Sequence, residues 1–287
     1  MQSSRLFSLS PFVAGVAVCL FAVPQTGAAQ GLIWRLPKQE KFTILYYGKY
    51  TQTDEPAEAG GQKRVTVWDR ELIVKSLGKA SGYFHGKPVV CRRLEISVRT
   101  GRVVDGDIDE GPAGKRTYNV LVPESRIIGK TIDRDSIFVS MLPIATDKDG
   151  KIQGRKKIGD TAVQPIKSPV LQVFPVITLL THYRTIIATA GQEPITVGGK
   201  EVAPDQYTRY TAKRVVESPS SRSTNEATFW VTKSDQSPTG LAQWKVTVTR
   251  ETKNSAQDRK EFKKVTTIVT ELFARRVEID ANPARGQ

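Results

Sequence analysis

The stretch Ile195–Arg250 constrains the fold more than any other part of the chain. It reads as four β-prone segments in succession, ITVGGKEV, QYTRYTAKRVV, TNEATFWVT and QWKVTVTR. Within the first, Gly198-Gly199 stands between β-branched residues, which is a two-residue signal for a tight hairpin. The later segments are joined by ESPSSRS and KSDQSPTGLA, rich in the serine, proline, aspartate and glycine that favour turns. Trp230 and Trp244 lie on consecutive strands, from which they could meet across a strand pair. Alternation gives a second reading. It groups Trp244 with Val246 and Val248, matches them to Phe229 and Val231, and leaves Trp230 on the opposite face.

The N-terminus has the three parts of a secretory signal. Arg5 supplies the charged region, Pro11–Val23 the apolar region, and Gly27-Ala28-Ala29 the small residues of a cleavage site. The apolar run contains Gly15 and is followed by Pro24, and it falls short of a bilayer span. Val18 precedes Cys19, where a lipoprotein signal would need a small residue. Residues 1–29 are therefore set apart as a signal peptide, and the mature protein is expected in the periplasm or outside the cell. Residues 30–280 are read as a single β-rich domain, with 164–168 as the place where a subdivision would fall, and 281–287 as a frayed tail.

Further strands are marked by β-branched and aromatic residues over Phe42–Tyr50, Arg64–Trp68, Leu72–Ser76, Val89–Arg99, Thr117–Val122 and Ser136–Leu142. Thr51–Gln62 reads as a polar loop and Gly78–Pro88 as turn-rich. In Val89–Arg99 the apolar residues Val90, Leu94, Ile96 and Val98 share a face with Arg92. A buried arginine there would need a carboxylate; the alternative, a strand end near solvent, is the reading adopted. Val170–Ala190 differs in character. Val170, Val173, Phe174, Ile177, Leu180, Tyr183 and Ile187 recur at helical spacing, which predicts a helix over Leu171–Ala188 buried against the sheet. Phe262–Ile279 fits both periods, and its VTTIVT core selects a strand.

The charge is +14 and stays near +13 after loss of the signal, by the same count. Such a surface suits anionic partners, although the basic residues are spread along the chain rather than clustered. The mature chain keeps one cysteine, Cys91, so no internal disulfide can form and a buried thiol is expected. His85 and His182 are its only histidines, poor material for a zinc site. The nucleophile-elbow pattern fails, because Ser81 stands one place late in Gly78–Gly82. A phosphate-binding loop ending in Gly129-Lys130-Thr131 fails at Glu124, where its first glycine belongs. Asp105, Asp107 and Asp109 alternate like hard-oxygen ligands for calcium. Glu110 and Arg116 then stand where an EF-hand needs its glycine and its closing glutamate, so a solvated acidic loop is the preferred reading.

An exported chain of β-meanders with one apolar helix resembles the incurved half-barrel of bacterial lipoprotein carriers and related envelope proteins. GGKEVAPDQYTRYTAKR, ATFWVTKSD and SPTGLAQWKVTV also resemble uncharacterised exported envelope proteins of that shape, over about Val170–Ile279. The resemblance implies a mainly β fold: a large antiparallel incurved sheet, a half-barrel, covered by one helix near 171–188. It implies no catalytic residues and no cofactor. Two functions follow as expectations. One is a non-enzymatic carrier of a lipid or lipoprotein, its cavity lined by Phe174, Tyr210, Phe229, Trp230 and Trp244. The other is a structural or adaptor protein with a filled core and a basic face for an anionic envelope polymer or a partner protein. A monomer that binds no nucleic acid is expected in either case.

Overall fold

The computed structural model describes residues 33–56, 61–84, 87–110, 115–124, 140–146, 152–153, 183 and 185–280. Fourteen strands occur among them: β1 (Lys41–Asp54), β2 (Arg64–Phe84), β3 (Lys87–Val104), β4 (Asp107–Asp109), β5 (Arg116–Pro123), β6 (Ser140–Thr146), β7 (Ile152–Gln153), β8 (Thr185–Ala190), β9 (Ile195–Val197), β10 (Lys200–Val202), β11 (Tyr207–Glu217), β12 (Ser221–Thr232), β13 (Leu241–Thr252) and β14 (Lys263–Ile279). One antiparallel sheet runs β7-β6-β5-β3-β2-β1-β14-β13-β12-β11-β8, with β4 attached to β3. It does not close into a barrel. β9 and β10 form a separate hairpin, and Gly198 and Gly199 both adopt the positive φ that its two-residue turn requires.

Alternation puts one face of the sheet into the core. Phe42, Ile44 and Tyr46 on β1 lie opposite Ser76, Val74 and Leu72 on β2, and these lie opposite Leu94, Ile96 and Val98 on β3. All nine are buried. β1 is also paired with β14 from Phe42 to Asp54, so the first and last of the described strands are neighbours. Gly48 makes this pairing sterically feasible, because a Cβ there would overlap the Glu271 carbonyl oxygen.

A segment without regular structure, Ile33–Glu40, straps this core. The amides of Trp34 and Arg35 donate to the Thr239 carbonyl at 2.8 and 3.1 Å. The Arg35 guanidinium donates to the carbonyls of Lys233, Ser234 and Ser237 at 2.6, 2.5 and 2.6 Å. At the other end, Arg92 donates to the carbonyls of Gln39 and Glu40, both at 3.0 Å, and Ser76 donates to Glu40 at 2.6 Å.

Several expectations are corrected. No α-helix occurs among the described residues. The end of the predicted helix, Thr185–Ala188, belongs to β8, which pairs with β11. Its β-branched Thr185, Ile186 and Ile187 prefer extended backbone, and β11 offers a pairing edge. Residues 171–182 and 184 of that prediction lie outside the described residues. Arg64–Trp68 and Leu72–Ser76 are one strand of 21 residues that continues into the turn-rich region, absorbing Gly78 as an irregularity at φ 102°. β1 runs on through Asp54 into the expected polar loop. Arg92 is not at a solvated strand end: its side chain is 2 % exposed and pairs with Glu124 at 2.7 Å. Cys91 is a buried free thiol.

Candidate functional site

Burial of the core face fades below the row Arg70–Gly48–Leu272–Trp244–Phe229–Tyr210, read across β2, β1, β14, β13, β12 and β11. Three further rows continue the same face: Trp68–Tyr50–Thr270–Val246–Ala227–Ala212, then Thr66–Gln52–Ile268–Val248–Asn225–Arg214, then Arg64–Asp54–Thr266–Arg250–Ser223–Val216. In the last two rows every residue is half-buried or exposed. The strands here are longer than the core needs. They persist because β1, β14, β13 and β12 are laddered on both sides here by neighbours rich in threonine and valine, while β2 and β11 close the patch with one partner each.

Three groups of side chains build this face. The Tyr50 and Trp68 rings stack with centroids 5.3 Å apart, and the Arg70 guanidinium lies 4.5 Å from the Tyr50 centroid. Arg70 Nε donates to Thr100 Oγ1 at 3.0 Å. Along β1, Tyr50 Oη donates to Gln52 Oε1, and Gln52 Nε2 donates to Asp54 Oδ1, each at 3.0 Å. Thr266 Oγ1 donates to the same Asp54 oxygen at 3.0 Å. The third group is the charge. Arg64, Arg70, Arg214 and Arg250 stand in these four rows against one carboxylate, Asp54.

The electrostatics follow from that placement. Burial pushes the Arg70 pKa down to about 10, partly offset by Tyr50. Burial raises the Tyr50 pKa, Arg70 and Arg250 oppose that rise, and Asp54 adds to it. A ring-bearing or hydroxylated anion would find an aromatic platform, amide and hydroxyl partners, and exposed guanidinium groups at Arg64 and Arg250. Among the described residues, no cluster of three or more His, Cys, Asp or Glu side chains is placed to hold a metal ion.

The residues expected to line a cavity have a different setting. Phe229 faces Tyr210 and Trp244 across the two neighbouring strands. Trp34 from the strap lies 5.3 Å from both Tyr210 and Phe229. Tyr183 meets Phe229 edge-on at 5.9 Å, and Tyr46 meets Trp244 at 4.9 Å. Phe229 and Trp244 are both 0 % exposed. Trp230 pairs with Gln243 on the opposite face, with Arg209 5.7 Å from its ring, so it does not meet Trp244. Phe174 lies outside the described residues.

The acidic stretch is a hairpin rather than a loop. Asp105-Gly106 forms its turn with positive φ at both residues, between β3 and β4. Asp107 accepts from Arg99 at 2.9 Å and from its neighbour's amide, that of Ile108, also at 2.9 Å. Those bonds hold its carboxyl below the usual range. Glu110 accepts from Arg99 at 2.5 Å. Sequence reasoning overlooked Tyr50, Trp68 and Arg70. The available signal was alternation, with Tyr50, Gln52 and Asp54 two apart and Arg64, Thr66, Trp68 and Arg70 two apart. No protein-family model matches the chain, and comparison with curated proteins finds no match.

Proposed function

We propose that this is a non-enzymatic, exported envelope protein that binds an anionic polymer on the uncovered part of its sheet. The observation that carries the proposal is four arginines set against one carboxylate around the stacked Tyr50 and Trp68. The chain's overall charge of +14 extends the attraction beyond the site. In this reading the sheet is incurved as a half-barrel about its core face, and the signal peptide directs the protein to the periplasm or the exterior. The adaptor reading is preferred to the carrier reading because Tyr210, Phe229 and Trp244 fill space with Trp34, Tyr46 and Tyr183.

The test is titration of the mature protein with polygalacturonate, with neutral dextran as the control. Saturable binding that weakens with salt is expected, reduced at least tenfold in R64E/R250E. Both positions are exposed, so the variant should fold. Equal binding of dextran, or an unaffected R64E/R250E, would sink the proposal. A lipid co-purifying with the protein from its own envelope would favour the carrier instead.

A further inference from the structure

On the face opposite the core, Asp69, Lys49, Glu271 and Lys245 form one row across β2, β1, β14 and β13, at the middle of the sheet. Their charges alternate in sign. Lys245 and Glu271 pair at 3.3 Å with side chains 49 % and 44 % exposed, and Asp69 accepts from Tyr47 Oη at 2.7 Å. Lys49 is exposed and stands between two carboxylates with no ion pair to either, or to any other described residue.

The rows on each side carry little charge. Glu71, Tyr47, Phe273 and Gln243 form one, and Val67, Thr51, Val269 and Thr247 the other. Phe273 is 38 % and Val67 46 % exposed. Together the three rows hold two lysines against three carboxylates. Arg275, at the irregularity in β14, lies 5.0 Å from the Tyr47 ring and brings the patch to neutrality. In a chain of net charge +14, this is a place where a second copy meets no local repulsion.

Reversed from side to side, the charged row is its own complement. A two-fold axis parallel to the strands, passing between β1 and β14, sets Lys49 of one copy over Glu271 of the other and Asp69 over Lys245. The same axis sets Tyr47 over Phe273, Glu71 over Gln243, Val67 over Thr247 and Val269 over Thr51. No like charges meet. An axis along the rows would stack each charge on its own copy. An axis moved one strand toward β13 would face Lys49 with Thr228 and Asp69 with Thr211, and both charges would lose their partners. Aligned sheets pack face to face at about 10 Å, close enough for such side chains to meet.

We propose that this face is the interface of a two-fold homodimer, in which two copies pack back to back through β1 and β14. Lys49 makes between copies the ion pair it lacks within one. Its partner, the Glu271 carboxylate of the other copy, has lone pairs beyond those its own neighbours use. Tyr47 and Phe273 supply aromatic contact at the centre. The dimer replaces the monomer expected from the sequence, and it leaves the open face, on the other side of the sheet, free in both copies.

The test is sedimentation equilibrium of the mature protein, in which a dimer is expected at micromolar concentration. Lys49→Glu and Glu271→Lys each set like charges together twice across the interface, and each should associate at least tenfold more weakly. Mixed in equal amounts, the two variants should regain the dimer as a heterodimer. Both contacts between copies then join opposite charges, while positions 49 and 271 within each copy stay alike, so recovery arises only between copies. Should either variant fail to fold by circular dichroism, Val67→Glu, at an exposed position, takes its place and should weaken the dimer to the same extent. R64E/R250E, altered on the other face, should dimerise as the wild type does. A monomeric wild type, variants that stay dimeric, a mixture that stays monomeric, or a dimer lost in R64E/R250E would overturn the proposal.

Discussion

The Arg92 guanidinium and the Glu124 carboxylate meet at 2.7 Å, joining β3 to the end of β5 beneath the strap. Arg92 also reaches the carbonyls of Pro37, Gln39 and Glu40, so one buried cation holds two strands and the strap together. Arg92→Met leaves Glu124 and the strap carbonyls without their donor. It should cost about 3–5 kcal/mol in denaturant unfolding, as removal of one partner from a buried pair does. Glu124→Gln should cost less, because the arginine keeps its three carbonyls. Losses below about 1 kcal/mol for both variants would show that the pair is well solvated.

Gly48 marks the closest approach of β1 to β14. Gly48→Ala forces a methyl group into the Glu271 carbonyl, and flanking backbone rather than a flexible side chain must give way. The expected loss is about 1–3 kcal/mol or more. A variant as stable as the wild type would mean that the two strands pair less closely than described.

Tyr46 Oη is fully buried, donating its one proton to the Leu241 carbonyl at 2.9 Å and accepting from Thr239 Oγ1 at 3.0 Å. Burial raises its pKa far above the ordinary tyrosine value, and the Thr239 bond opposes only part of that rise. The folded state therefore keeps a proton that the unfolded chain releases. The stability from this group is complete below about pH 10 and falls as pH rises beyond it. Tyr46→Phe should lose about 1–2 kcal/mol at neutral pH. Its deficit against the wild type should shrink in the alkaline range, where both are compared by urea unfolding. A constant deficit across that range would contradict the assignment.

Trp68 belongs to the open face and not to the core. Trp68→Ala removes a stacking pair that contributes about 0.5–1.5 kcal/mol beyond the area it buries. Its expected signature is a polygalacturonate affinity at least tenfold weaker with only a modest change in unfolding midpoint. Collapse of stability with unchanged affinity per folded molecule would assign Trp68 to the core instead.

The C-terminal meander was legible because its signals are local. Gly198 and Gly199 permit the tight turn, and turn-forming serine, proline and glycine separate β11, β12 and β13 where expected. Alternation also grouped Trp244 with Phe229 and set Trp230 apart, as the register shows. The Leu171–Ala188 helix misled because apolar residues spaced three and four apart can also sit on a strand. At Thr185–Ala188 that ambiguity was resolved by the edge of β11.

The sequence by itself determined the strand-rich character, the turns and which residues share a face. These depend on backbone preferences and on neighbours two to four positions away. Tertiary structure alone decided that β1 lies between β2 and β14, and that Arg92 finds Glu124. It also carried Tyr50, Gln52 and Asp54 past the core into a basic open face. Those outcomes depend on strands far apart in the chain burying one another's apolar faces, a pairing energy that no local window of residues contains.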